Sequence, residues 1–91
     1  MRITDGNKIM FTNCFELIPT TSQKSFYGKA IVLCFSDGSQ VLKSYSTFVA
    51  KRLPNGEIVR LWGGWSATTG KHIRSFCGMN KAEFAALPLQ N

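Results

Sequence analysis

The sequence lacks a long apolar segment, a secretory signal and any pair of cysteines at metal-binding spacing. No stretch approaches the roughly 18 apolar residues of a membrane-spanning helix, and the start, MRITDGNKIMFTN, contains no apolar run of signal length. The three cysteines, Cys14, Cys34 and Cys77, are an odd number without a CxxC spacing, and each has apolar neighbours. We therefore expect a soluble intracellular protein with buried, reduced thiols. Three scattered cysteines and one histidine make a poor zinc site, so neither a metal nor another cofactor is predicted.

The length of the chain limits what it can enclose. Ninety-one residues form one domain, residues 1–91, because they are too few for two hydrophobic cores. The apolar share of 44% and the aromatic share of 12% are typical of folded proteins. A domain of this size buries only about 60–65% of its unfolded surface, so we expect modest stability and no deep cleft for a large cofactor.

The positive charge is unevenly distributed along the chain. The formal net charge is +6; residues 43–81 hold seven cations and a single acid, Glu57, whereas residues 1–42 hold four cations and three acids. Such asymmetry indicates an acidic partner, which is nucleic acid, an acidic protein surface or anionic lipid. Solvated Lys and Arg also protect small sheets from aggregation, and this second explanation stays open.

The middle of the chain predicts an antiparallel meander from residue 30 to residue 62. Asp37-Gly38, between two apolar runs, is a strong hairpin signal. The imperfect alternation of the second strand indicates a bulge or bend near residues 44–47. Before the meander, Lys8–Phe11 and Cys14–Ile18 form two short strands or one bent strand, followed by a polar loop at residues 20–25. The predicted strands and turns of the meander are Ala30–Phe35, Ser36–Ser39, Val41–Leu53, Pro54–Gly56 and Glu57–Trp62.

Two helices are predicted after the meander. Ser66 or Thr68 caps the first, whose C′ position falls on Gly78. Asn80 begins the second, and Glu83 completes a capping box. The fold class is therefore α+β, with a small antiparallel sheet of about four or five strands and a C-terminal helical segment packed on one face.

No catalytic or nucleotide-binding motif is complete. The segment GGWSATTGKHI is similar to a phosphate-binding loop, but five residues separate Gly64 from Gly70 where the motif has four, and His72 occupies the Ser/Thr position. Cys77 lies roughly 140° around the helix from His72, so the two do not form a pair. We expect a structural histidine, hydrogen-bonded to a strand side chain or backbone, and no enzymatic activity.

The remaining candidate for a functional site is a binding surface in the basic half of the chain, residues 43–81. Single-stranded nucleic acid is bound by aromatic side chains that stack on bases, beside cations that contact phosphates. Tyr45, Phe48, Trp62 and Trp65 lie among the cations, although a small core needs aromatic side chains and at least two of the four are expected to be buried. The predicted partner-binding residues are Lys43, Lys51, Arg52, Arg60, Trp65, Lys71 and Arg74.

Three segments, SQKSFYGKA (Ser22 to Ala30), SYSTFVA (Ser44 to Ala50) and WSATTGKHIRSF (Trp65 to Phe76), resemble a family of small uncharacterised phage and plasmid proteins. The family pattern runs Ser-Tyr-x-Thr-x-Val-Ala, then Ser-x-Thr-Thr-x-x-His-Ile-x-x-Phe. The resemblance spans about residues 22–77 and implies a mobile-element protein in a bacterial cytoplasm. It assigns no catalytic residue. By analogy of class alone, small basic phage proteins often act on host machinery, including CRISPR nucleases.

These observations predict a non-enzymatic, small basic binding protein of phage or mobile-element origin. It docks through its basic half on an acidic surface of a host or defence complex, as an anti-CRISPR-type inhibitor would, and has no membrane partner. One alternative is direct single-stranded nucleic-acid binding, with phosphates on Lys51, Arg52, Arg60 and Arg74 and bases stacked on Trp62 or Trp65. Another is a structural or assembly component of a phage.

Overall fold

The computed structural model describes residues 9–20 and 25–90. Within these residues the chain forms one five-stranded antiparallel sheet followed by two helices. The sheet is a simple meander in which each strand pairs with the next along the chain. The predicted α+β fold is therefore confirmed. The elements are β1 (Phe11–Glu16), β2 (Ala30–Phe35), β3 (Gln40–Ser44), β4 (Thr47–Arg52), β5 (Ile58–Arg60), α1 (Ala67–Cys77) and α2 (Lys81–Ala85).

The described N-terminal part forms one bent strand, which is one of the two alternatives left open by the sequence. β1 pairs with β2, and its register shifts between Phe11 and Asn13, where an extra residue enters the strand. Lys8, at the start of the first predicted strand, lies outside the described residues, as do residues 21–24 of the predicted polar loop.

The single long strand predicted over Val41–Leu53 is wrong. A two-residue turn at Tyr45-Ser46 divides it into β3 and β4, which pair with each other. Tyr45 has a φ of 56°, the left-handed backbone that tight hairpin turns require and that is usually supplied by Gly or Asn. The bend predicted near residues 44–47 is thus a complete reversal of the chain.

The register of the sheet assigns the side chains to two faces, because directly opposed residues in an antiparallel pair point to the same side. One face, the covered face, packs against the helices and carries Ala30, Val32, Leu42, Ser44 and Ala50, all buried. The register shifts between Leu42 and Lys43, which adds Val49 to this buried set. The opposite face, the open face, carries Ile31, Leu33, Phe35, Val41, Lys43, Phe48, Lys51 and Val59.

The hydrophobic core lies between the covered face and the two helices. From β3, Leu42 meets Ile73 of α1 and Phe84 of α2 in one cluster, and each of these side chains is at most 1% exposed. Cys34, Ile58, Trp62, Trp65, Cys77, Met79 and Leu87 pack around this cluster.

Both helices begin at the caps that their sequences predict, and α1 also ends as predicted. Ser66 caps α1 by accepting a hydrogen bond from Thr69 N at 3.1 Å, and Gly78 ends it with a φ of 78°. Asn80 and Glu83 form the predicted capping box of α2. Gly70, unfavourable inside a helix, has a packing role, because a Cβ there would lie 2.5 Å from the Trp65 indole.

The expectation of three buried cysteines is wrong. All three are free thiols, but Cys14 is exposed, while Cys34 and Cys77 are partly buried. Cys14 is exposed because it lies on β1, whose side chains no described helix covers.

We predict that Phe84→Ala lowers the free energy of unfolding by about 3–5 kcal/mol, because it removes a fully buried ring and leaves a cavity. Phe48→Ala is the matched control and should cost about 1 kcal/mol or less, since Phe48 is already 52% exposed. Urea denaturation followed by circular dichroism measures both. Equal losses would mean that the core is not where we place it.

Candidate functional site

A buried polar junction joins α1 to the end of β3. Ser44 Oγ lies 2.7 Å from His72 Nδ1 and 3.0 Å from Thr69 Oγ1. The two helix residues are three positions apart and therefore share one face of α1. All three side chains are buried. The expected structural histidine, hydrogen-bonded to a strand side chain, is confirmed.

The surroundings of His72 disfavour the charged form of its imidazole. The ring packs edge-on against Phe26, with centroids 4.5 Å apart, and lies 5.8 Å from the Tyr45 ring. Burial lowers the pKa of His72 below its ordinary value of 6.5. A serine beside an imidazole is the pairing used by nucleophilic enzymes, but Ser44 is only 2% exposed, so no substrate reaches its hydroxyl in this conformation.

Arg60, predicted to bind a partner, is used to hold the C-terminal segment. Its guanidinium donates hydrogen bonds of 3.0–3.2 Å to four backbone carbonyls. It also lies 5.5 Å from the centre of the Phe84 ring. The contacts link β5 to the end of α2 and to the chain leaving β5. The four carbonyls belong to Trp62, Gly63, Ala85 and Leu87.

Arg52 has a similar internal role at the end of α1. It donates hydrogen bonds to Gln40 Oε1 at 2.8 Å and to the backbone carbonyl of Phe76. Its guanidinium also lies 4.5 Å from the centre of the Phe76 ring. A cation at this position complements the negative end of the helix dipole. Arg52 thus fixes α1 over the covered face.

The aromatic side chains are arranged differently from the prediction. None of the four candidates is fully buried: Trp62 and Trp65 are half-buried against the core, whereas Tyr45 and Phe48 are 51% and 52% exposed. Trp65 packs near Phe84, with ring centroids 6.0 Å apart. The exposed aromatic rings of the basic half are therefore Tyr45 and Phe48.

The seven predicted partner-binding residues do not converge on one surface. Arg52, Arg60 and Trp65 make the internal contacts described above. Lys71 and Arg74 are exposed on α1, over the covered face. Lys43 and Lys51 lie on the open face, on the other side of the sheet.

The open face is largely apolar, with Lys43 and Lys51 at its centre and Glu16 on its β1 edge. Lys43 lies between Ile31 and Phe48 on neighbouring strands, and Lys51 lies between Val41 and Val59. Neither described helix packs there, since the contacts of both reach the covered face. Sequence reasoning missed the role of the β2 and β5 side chains. The signal for this role was the run AIVLCF, which is apolar on both faces of the strand although the described helices cover only one of them.

A shallow cavity of about 240 Å³ lies beside Arg60. Its lining is largely the structural set already described, and Lys81 is its one additional cation. The lining residues are Arg60, Gly63, Gly64, Trp65, Lys81, Phe84 and Ala85. Among residues 9–20 and 25–90 no cluster of three or more potential metal ligands occurs. No helix in this same part of the chain is long and apolar enough to cross a membrane.

Comparison with known proteins assigns the chain to a family. Residues 15–85 match a family of unknown function (DUF8033), and the chain belongs to it. No curated protein and no solved structure matches the chain. The matched region runs from the end of β1 to the last residue of α2 and so contains the Ser44–Thr69–His72 junction and the central strands of the open face.

We predict that Arg60→Ala lowers the free energy of unfolding by about 2–3 kcal/mol, because four carbonyls lose a charged donor. Arg60→Lys should recover only part of this loss, since an ammonium cannot reproduce the planar fork. Arg74→Ala is the control and should cost below about 1 kcal/mol, because Arg74 is exposed near the helix C-terminus. Urea denaturation measures all three variants. Equal losses in the free energy of unfolding for Arg74→Ala and Arg60→Ala would contradict the internal role of Arg60.

The depressed pKa of His72 makes stability depend on pH. When the pH falls through about 6.5, His72 binds a proton in the unfolded chain but not yet in the folded chain. The free energy of unfolding therefore decreases. His72→Asn does not titrate and its amide can still contact Ser44. The difference in unfolding free energy between wild type and His72→Asn should therefore shrink between about pH 7 and pH 5. Thermal or urea denaturation measures it, and an unchanged difference would show that His72 titrates normally in the fold.

Proposed function

We propose that the chain is a non-enzymatic binding protein whose open face docks on an acidic, partly apolar surface of another protein. The observation that carries this proposal is the sheet face on which Lys43 and Lys51 lie among partly exposed apolar side chains that neither described helix covers. Surfaces of this composition are typical of interaction sites, because apolar area left in water is stabilised by a partner that covers it.

The two lysines define the chemistry of the partner. When a partner covers the open face, Lys43 and Lys51 lose water and need carboxylates to compensate them. Their positions on adjacent strands place the ammonium groups within reach of one acidic patch. A basic or neutral partner would leave the two charges buried and unpaired, so the lysines select against it.

Origin and setting follow from the resemblance at residues 44–50 and 65–76, and they belong to the same proposal. A phage or mobile-element protein acting in a bacterial cytoplasm meets host and defence complexes, many of which bind nucleic acid with their own basic channels and carry acidic surfaces elsewhere. The net charge of +6 favours fast association with such acidic surfaces. An inhibitor of anti-CRISPR type is one form of this function.

The test compares two double charge reversals. Lys43→Glu with Lys51→Glu changes the open face, and Lys71→Glu with Arg74→Glu changes α1. Each pair lowers the formal net charge from +6 to +2, since each reversal removes two units. Tagged proteins are incubated with nuclease-treated bacterial lysate, and captured proteins are identified and then purified for direct titration.

We predict that the wild type and the α1 variant capture the same acidic protein, and that the open-face variant loses it. With the purified partner, the open-face variant should bind at least about tenfold more weakly, equivalent to about 1.4 kcal/mol. Loss of binding in the α1 variant alone would move the site to the helix. Equal binding by all three proteins would overturn the proposal.

A second candidate is single-stranded nucleic-acid binding on the same face. It is favoured by Phe48, an exposed ring directly opposite Lys43, which puts a stacking surface beside a cation. Fluorescence anisotropy with single- and double-stranded oligonucleotides distinguishes it. Binding that falls steeply with salt and disappears in Phe48→Ala would support it, whereas no binding at low salt would exclude it.

A further inference from the structure

The outer edge of β1 has no partner among the described residues. β1 is the first strand of the sheet order and pairs only with β2 in that part of the chain. All six of its residues are exposed. Phe11 points to the open face and Phe15 to the other, so the strand exposes aromatic rings on both faces. A strand exposed on both faces and along one edge gains more from a further strand than any other element here.

The backbone groups along this edge can be assigned from the ladder. Leu17 N donates to Ala30 O at 2.9 Å, so the N–H of Leu17 points towards β2. Because backbone groups alternate along a strand, those of Phe15 also point inward, and those of Cys14 and Glu16 point away from the sheet. Within residues 9–20 and 25–90 these outward groups have no backbone partner, so a strand that adds to the edge can bond to them.

Two of the usual devices that keep edge strands apart are missing from β1. Edge strands in soluble proteins are usually blocked by Lys or Pro, and Phe11–Glu16 contains neither. The residues on either side of β1 add to the exposed apolar surface, since Ile9, Met10 and Ile18 are also exposed. The slight irregularity between Phe11 and Asn13 lies at one end and leaves the segment from Asn13 to Glu16 regular.

We propose that β1 pairs antiparallel with β1 of a second copy, which joins two sheets into one of ten strands. The two-fold axis passes through the edge perpendicular to the sheet, so the interface is made of the same residues from both copies. The register that pairs outward-pointing residues places Cys14 opposite Cys14, with Asn13 opposite Phe15 on either side of this pair. No two like charges are then directly opposed across the interface.

Charge favours a second copy over the acidic partner of the open face. Residues 9–20 contain no cation and one acid, Glu16, so an acidic surface finds nothing to pair with at this edge. Two chains of charge +6 can approach here because their positive groups are remote. Lys43 on β3 would lie roughly 24 Å from its copy at the ordinary strand spacing, well beyond the screening length of about 8 Å.

The dimer extends the proposed function without depending on it. A two-fold axis perpendicular to the sheet leaves both open faces on the same side, so Lys43 and Lys51 would be presented twice on one surface. Such a molecule binds a repeated or two-fold symmetric partner more tightly than one copy does, provided the spacing matches.

Light scattering coupled to size exclusion tests the dimer on the full chain. We expect the wild type to have twice the monomer mass. Cys14→Lys places a charge on the edge, so it should have the monomer mass while its circular dichroism spectrum shows that it is folded. Phe48→Lys, an equally exposed change on β4, is the control and should remain dimeric. A monomeric wild type would overturn the proposal, as would a Phe48→Lys monomer beside a Cys14→Lys dimer.

Oxidation with diamide gives a second readout that needs no destabilising change. The predicted register puts the two Cys14 Cα atoms about 5.5 Å apart, within the range of a disulfide. The two thiols should therefore couple, with diamide taking up the two hydrogens, and give a covalent dimer on a non-reducing gel. Cys14→Ser should abolish this dimer, although Cys34 and Cys77 remain. A covalent dimer that persists in Cys14→Ser, or none in the wild type, would contradict the pairing.

Discussion

The hydrogen bonds that join Ser44, His72 and Thr69 decide which side of the sheet the helix covers. They are buried, and a buried polar group without a partner costs about 1–3 kcal/mol, so α1 is held to the face that carries Ser44. Arg52 and Arg60 add bonds to backbone carbonyls on the same side. All three contacts start from residues of the covered face, and neither described helix packs on the opposite face.

This arrangement changes how the excess of positive charge in residues 43–81 is interpreted. Seven cations occur between residues 43 and 81, and their closeness in sequence suggested one basic surface. Two of the arginines, Arg52 and Arg60, bind backbone carbonyls of the helices. Lys71 lies on the opposite side of the sheet from Lys43. At the centre of the open face two lysines remain among apolar side chains, which is a more specific signal than net charge. It favours a partner with both apolar area and carboxylates.

Much of the fold could be predicted because its signals are local. Asp37-Gly38, Ser66, Gly78 and the Asn80–Glu83 box each specify a turn or a helix end through their own backbone geometry. The reversal at Tyr45 was missed because a tyrosine in left-handed backbone carries no local signal. The site was harder still. The carbonyl partners of Arg60 come from segments far apart in sequence, and which face each lysine occupies depends on a register shift that alternation alone does not fix.

The proposed docking requires that the apolar side chains of the open face, which neither described helix covers, be accessible from solvent. Methyl NMR with a soluble paramagnetic gadolinium chelate measures this directly, because relaxation increases only where the probe can approach. The methyl groups of Ile31, Leu33, Val41 and Val59 should relax strongly, while those of Val32, Leu42, Val49 and Ile73 should be protected. Equal protection of both sets would show that the open face is covered and would contradict the account.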